Sequence, residues 1–129
     1  MFNQVILTGR LARDPELREN TDGNKRASIC LAVQRPFKQR GSEQFKTDFF
    51  YITVWEGIAE TIYNSAKKGT VMIVKGRLEQ SNYVDKSGKK VYSMNIIGER
   101  IVYLGHNLSK EEIEIDEEID VEPDLKSVE

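Results

Sequence analysis

The chain is poor in the residues on which most catalytic and redox chemistry depends. It has one cysteine and one histidine among 129 residues. Cys30 has no partner for an intrachain disulfide and sits in an apolar-patterned segment, so it reads as a structural, reduced thiol. His106 lies past the last strand-like segment, and neither a Ser-His-Asp arrangement nor a histidine-containing metal site can be assembled around it. No cofactor and no metal are expected. Glycines 9, 23, 41, 69 and 88 stand singly, so there is no phosphate-cradling loop. Asp14 and Glu16 come nearest to a carboxylate pair. They read as a solvated turn, and a metal-dependent nuclease using them is the enzymatic alternative. Long apolar runs are missing too. Nothing approaches the roughly 20 residues needed to span a bilayer, and MFNQVILTGR lacks a cleavage-site pattern. The expectation is a cytoplasmic protein without enzymatic activity.

What is present is unevenly charged. Residues 1–105 carry 17 Lys and Arg against 11 Asp and Glu, a net of +6. Residues 106–129 carry 2 against 10, a net of −8. The mild overall acidity of −2 thus conceals a basic body that attracts polyanions and a tail that does not. At this length one domain with a real core is expected over residues 1–105. The tail, EEIEIDEEIDVEPDLKSVE, is acidic, and Ile113, Ile115 and Ile119 are too few to build a core. It reads as disordered.

The stretch Thr47–Trp55, TDFFYITVW, reads as a strand with two unlike faces. Successive side chains point to opposite sides. Phe50, Ile52 and Val54 suit a core, while Phe49, Tyr51, Thr53 and Trp55 mix large rings with hydroxyls. Rings flanked by Arg35, Lys38, Arg40 and Lys46 are what single-stranded nucleic acid requires, since bases stack on rings and cations track phosphates. Burial of both faces is the competing reading, because aromatic residues favour strands anyway.

Around that stretch the chain alternates strands with turn chemistry. Gln4–Leu11 is a strand bending at Gly9; Arg13-Asp14-Pro15-Glu16 breaks it into a loop. Residues 20–24, NTDGN, are a turn. Ala27–Phe37 is a strand with Ile29, Leu31 and Val33 on one side, and Pro36 marks its end as an edge or a loop entrance. KQRGSEQFK reads as a basic hairpin arm. Gly57–Lys68 is the single helix, with Ile58, Ala59, Ile62, Tyr63 and Ala66 as a core stripe, Lys67 and Lys68 at its C-terminal end and Gly69 as its stop. Val71–Tyr83 and Val91–Leu104 are strands kinked at Gly76 and Gly98 and joined by a lysine-rich tip at 85–90. Three strands, a helix and two strands make the order of an all-β, five-stranded OB barrel with its helix between strands three and four.

FNQVILTGRLARDPELR, LAVQRPFK, and TDFFYITVWEGIAETIYNSAKKGTVMIVKGRLEQSNYVDKSGKKVY with the closing strand resemble bacterial and phage single-stranded DNA-binding proteins over residues 1–105. The resemblance implies an OB fold assembled as a homotetramer, with a dimer as the alternative. It implies single-stranded DNA as partner, bound without sequence preference during replication, recombination and repair, in the cytoplasm and its nucleoid. By position, the family's base-stacking rings fall on Phe37, Phe49, Trp55 and Tyr83. Phosphate contacts are implied for basic residues of the arms and barrel face, namely Arg10, Arg35, Lys38, Lys46, Lys68, Arg77 and Lys86. Two departures stand out. Positions 37, 49 and 83, often tryptophan in the family, hold Phe, Phe and Tyr, which are smaller stacking faces. The tail keeps its acidity but ends Leu125-Lys126-Ser127-Val128-Glu129, without the Pro-Phe tip through which relatives recruit replication and repair proteins. The competing function is an OB-fold protein-interaction subunit of a primosome-like assembly.

Overall fold

β-branched and alternating runs, bounded by turn residues, make six strands and one helix among the described residues. They are β1 (Val5–Leu11), β2 (Glu16–Glu19), β3 (Lys25–Lys38), β4 (Phe45–Trp55), α1 (Glu56–Ser65), β5 (Val71–Val84) and β6 (Lys90–Gly105). The computed structural model describes residues 1–105, so the reading of 106–129 as a disordered tail lies outside the described residues.

Five of the strands close on themselves in the order β1-β5-β6-β4-β3, with β3 returning to β1. Two of the seams are brief. β3 meets β1 only at Arg10↔Ala32 and Leu11↔Leu31, and β4 runs parallel to β6 only at Ile52↔Ile96 and Thr53↔Ile97. Backbones must come close where strands cross. An ideal Cβ on Gly9 would stand 2.2 Å from the Ala32 carbonyl oxygen, and one on Gly76 would stand 2.0 Å from that of Ile97. Only glycine permits those approaches. This is the OB architecture expected from the order of elements.

A register shift reverses one strand. Lys75 pairs with Arg100 and Gly76 with Gly98, leaving Glu99 as an extra residue in β6. Before it Ile96 packs inward, and after it Ile101 and Tyr103 do so, although their numbers differ in parity. The core inside the barrel is formed by Leu11, Ala27, Ile29, Leu31, Ile52, Val54, Met72 and Val74, joined by Ala59, Ile62 and Ala66 from the helix side. Phe50, expected in this core, is only half-buried. It lies on β4 just beyond the buried pair Ile52 and Val54, towards the β3–β4 arm.

Two further expectations are corrected. Glu16, placed in a loop, begins β2, which pairs with β3 from Glu16↔Ser28 to Glu19↔Lys25. The cause is the turn that follows: the Asn20 side-chain oxygen accepts the N–H groups of Asp22 and Asn24, which folds the chain tightly enough for its two flanks to pair. The helix is shorter than its apolar stripe suggests, ending at Ser65 instead of Lys68. The N–H groups of Lys67, Lys68 and Gly69 go to the Thr70 hydroxyl, the Asp14 carboxylate and the Leu11 carbonyl. With those donors taken, the helical ladder cannot continue. Lys67 and Lys68 therefore lie past the last turn, and Tyr63 faces solvent.

Candidate nucleic-acid interface

The ladder between β3 and β4 fixes one face of the barrel. Paired residues point to the same side, and the pairs are Arg26↔Trp55, Ser28↔Thr53, Cys30↔Tyr51, Ala32↔Phe49, Gln34↔Thr47 and Lys38↔Phe45. The opposite side of β3, from Ala27 to Leu31, is core, so these pairs look outward. Phe49, Tyr51 and Trp55 thus share an outer face, as their parity predicts. The centre of that face is closed: Thr53 is only 4% exposed and Cys30 is buried. Burial pushes the Cys30 thiol up, against the nearby Arg13 charge and the Tyr51 hydroxyl, which makes the thiol less reactive.

Trp55 is the last residue of β4 and caps α1. Glu56 directly after it takes a left-handed φ of 51°, so the chain turns from strand into helix with no loop. The indole is 37% exposed, and the Arg26 guanidinium carbon lies 5.8 Å from its ring centroid. That is cation–π distance. Arg26 was not singled out from the sequence, and no local signal could have done so, because only the strand register brings residues 26 and 55 together.

The face continues past β4. Thr53 pairs with Ile97 of β6 and Ile97 with Arg77 of β5. Along β5 the same side carries Glu79, Ser81 and Tyr83, the last opposite Val91 in the arm and 42% exposed. The Ser81 and Ser93 hydroxyls meet at 2.8 Å, and Asn95 donates to Ser81, so this side of the arm is stiffened by side-chain hydrogen bonds. In the other direction Ala32 pairs with Arg10 of β1. One surface therefore runs from Arg10 through Phe49 and Trp55 to Arg77 and Tyr83. Arg10 carries its most telling atom: Nη1 is buried and has no hydrogen-bond partner among the described residues. A buried cationic donor without an acceptor costs free energy, and an anion placed there would relieve the cost.

The remaining candidates divide. Phe37, 63% exposed, lies in the segment between Gln34 and Lys38 where β3 shifts register. That segment holds Pro36, which cannot donate to a ladder. Lys86 is exposed in the turn between β5 and β6. There the Asp85 carboxylate accepts from the Ser87 hydroxyl and from the Lys89 and Ser87 N–H groups, bonds that hold it below the usual carboxylate range. Lys68 is exposed beyond α1, with its N–H bonded to Asp14 at 2.7 Å. Arg35 is not brought to the ring face. It grips Asp48 with two hydrogen bonds of 2.8 and 3.0 Å. Asp48 pairs with core-packed Val33, so this bridge lies on the continuation of the inward side. Lys46 shares Asp48's side of β4. Arg77 is on the ring face, but Glu79 and Glu99 hold its guanidinium at 3.0 and 3.3 Å. Asp14, the leading residue of the nuclease alternative, is an acceptor for the Lys68 backbone, and no group of metal-ligating residues occurs among the described residues.

A closed five-stranded barrel with a helix between its third and fourth barrel strands defines an OB-fold protein, and its outer wall of rings and cations has the composition that suits nucleic acid. Comparison with known proteins narrows this. Residues 2–104 match the model of the single-strand binding protein family. The chain is 43% identical over 104 residues to single-stranded DNA-binding protein 3 of Listeria innocua, covering 81% of this chain and 64% of that one. It is 36% identical over 111 residues to the single-stranded DNA-binding protein of Streptococcus mutans (86% and 67% covered). Against the protein of that name from Bacillus cereus it is 39% identical over 104 residues (81% and 61% covered). The chain belongs to the single-strand binding protein family. The aligned part spans between 61% and 67% of the length of these three relatives.

Proposed function

We propose that this chain binds single-stranded DNA without sequence preference, by stacking bases on Trp55, Phe49, Phe37 and Tyr83 while cations hold the phosphates. The observation that carries this reading is the Arg10–Phe49–Trp55–Tyr83 surface, which holds a buried guanidinium nitrogen without a partner among the described residues, the half-buried Phe49 ring and the exposed Trp55 and Tyr83 rings. Stacking is worth about 1–3 kcal/mol per base and works for every base. Arg10, Lys38, Lys68 and Lys86 supply charge to the strand. Arg35 and Arg77 contribute through the field unless they leave Asp48, Glu79 and Glu99, and the exposed Lys46 adds its charge from the other side of β4. Coating of exposed strands during replication, recombination and repair follows from that activity, in the cytoplasm and its nucleoid, with no catalytic step. No helix among the described residues is long and apolar enough to cross a membrane.

Assembly into a tetramer, or a dimer, belongs to the same reading. β1 meets β3 only through Arg10 and Leu11, so its edge over Val5–Gly9 has no strand partner among the described residues. Unpaired edges invite pairing with another copy. Ile6, Val102 and Leu104 are exposed apolar side chains on the same three-stranded region.

The test is the emission of Trp55, the only tryptophan, during titration with oligothymidine and with a matched duplex at low salt. Quenching by the single strand alone is expected. No change with oligothymidine removes Trp55 from the site. The alternative, a protein-interaction subunit, predicts a size-exclusion profile indifferent to oligonucleotide.

A further inference from the structure

Phe45 opens β4, two residues before the stretch that the sequence marks as the ring strand. It is 41% exposed and is not among the side chains packed on the core. Gln34 pairs with Thr47 and Lys38 with Phe45, so the irregularity in this arm lies on β3 and β4 runs without a bulge to Trp55. Position 45 therefore has the parity of 49, 51 and 55 and projects from the ring face. Its ring has a cation in place, with Lys38 Nζ 5.7 Å from the centroid. An apolar ring on a polar arm, aligned with the other rings and covered by an ammonium, suits a ligand that is flat and anionic.

We infer that Phe45 is a further base-stacking position, at the outer end of the β3–β4 arm, with Lys38 as its phosphate cation. The inference rests on the reading of the chain as a binder of single-stranded DNA. Four residues of strand separate Phe45 from Phe49, about 13 Å at the rise of an extended chain. That exceeds the roughly 3.4 Å between stacked nucleotides, so the ring serves a different nucleotide from the one on Phe49. In the free protein the ammonium occupies the ring face. On binding, the base takes the ring and the ammonium moves to a neighbouring phosphate, which keeps both partners satisfied. The added subsite lengthens the track along β4 without enlarging the barrel.

Two variants and a reporter test this. Phe45→Leu keeps an apolar side chain but removes the flat face. Its Kd for an oligothymidine long enough to saturate the wild-type site should rise about 5- to 10-fold, the lower end of a stacking loss, and fewer nucleotides should be occluded per protomer. Lys38→Gln should lower the slope of log K against log salt by about 0.7. In a Phe45→Trp, Trp55→Phe double variant, the new indole should be quenched at saturation, with saturation followed separately by anisotropy of a labelled strand. Wild-type binding and site size in Phe45→Leu overturn the inference. So does an unquenched indole at 45 in a protein whose native Trp55 is quenched, and that pattern leaves the broader reading intact. If neither indole responds, the broader reading falls and takes this one with it. An indole at 45 whose emission depends on protein concentration without DNA marks a contact between copies, which also overturns it.

Discussion

Replacing Arg10 with methionine should make the free protein more stable and its hold on DNA weaker, a pair of opposite signs that packing residues do not produce. Nη1 of Arg10 is buried without a partner among the described residues. A buried, unsatisfied donor costs about 1–3 kcal/mol. Only one nitrogen is affected and the residue as a whole is half-buried, so the lower end, about 1 kcal/mol, is what an apolar side chain of similar length should return. For a domain of this size that is a rise in Tm of about 4–8 °C. Binding moves the other way. Loss of a charge-assisted hydrogen bond to phosphate removes about 1.5–3 kcal/mol, or roughly 10- to 150-fold in Kd. The salt slope should fall by about 0.7 as one phosphate contact disappears. Thermal melting of the free protein and anisotropy titrations of labelled oligothymidine at several salt concentrations read both quantities. A lower Tm with unchanged affinity would refute the reasoning, because Arg10 would then be a supporting side chain of the β1–β3 seam and nothing more.

Trp55→Leu keeps apolar bulk at the end of β4 and discards the flat face, so binding should weaken by about 1–3 kcal/mol while circular dichroism stays native; loss of fold would assign the indole to the core. Asp48→Asn tests the arm. The Arg35 guanidinium, mainly by hydrogen bonding, holds the Asp48 carboxyl below its ordinary range, so the stability it adds is complete above the unfolded value of about 4 and is lost as pH falls through the lower folded value. Denaturant midpoints measured across the acid range should show that slope in the wild type and a shallower one in the variant. Removing residues 106–129 deletes a net charge of −8. If that segment competes with DNA for the basic face, the truncated chain should bind more tightly, most clearly at low salt; equal affinities would show that it does not.

Most of the scaffold was legible because its signals are local. Period-two alternation gave the barrel strands, and the apolar stripe of Ile58, Ala59 and Ile62 gave the helix. What escaped depended on hydrogen bonds or register that span the chain. The helix stops early because Asp14 and Leu11, far away in sequence, claim the amides of Lys68 and Gly69. Arg35 reads as one more cation of the arm until Asp48, thirteen positions on, is found gripping it. Arg26 and Trp55 meet only through pairing. Phe45 was within reach of parity alone, but a strand begun at Thr47 leaves it in the loop. The rings and the rough basicity of the surface could be read; which cations are already engaged by carboxylates could not.

The extra residue at Glu99 has a consequence for how this chain can vary. Because β6 changes the side it presents there, one half of the strand answers to the ring wall and the other to the region around β1, each with its own alternation. Removing that single residue would set Arg100 directly after Gly98, still opposite Lys75, and leave Ile101 and Tyr103 facing inward. Removing one residue from a regularly paired stretch of the strand instead shifts a whole flank to the other face. Length in β6 is therefore under tighter control than composition. A single insertion or deletion in its regularly paired stretches exchanges inside for outside, whereas the turn at 85–90 can gain or lose residues without disturbing either wall.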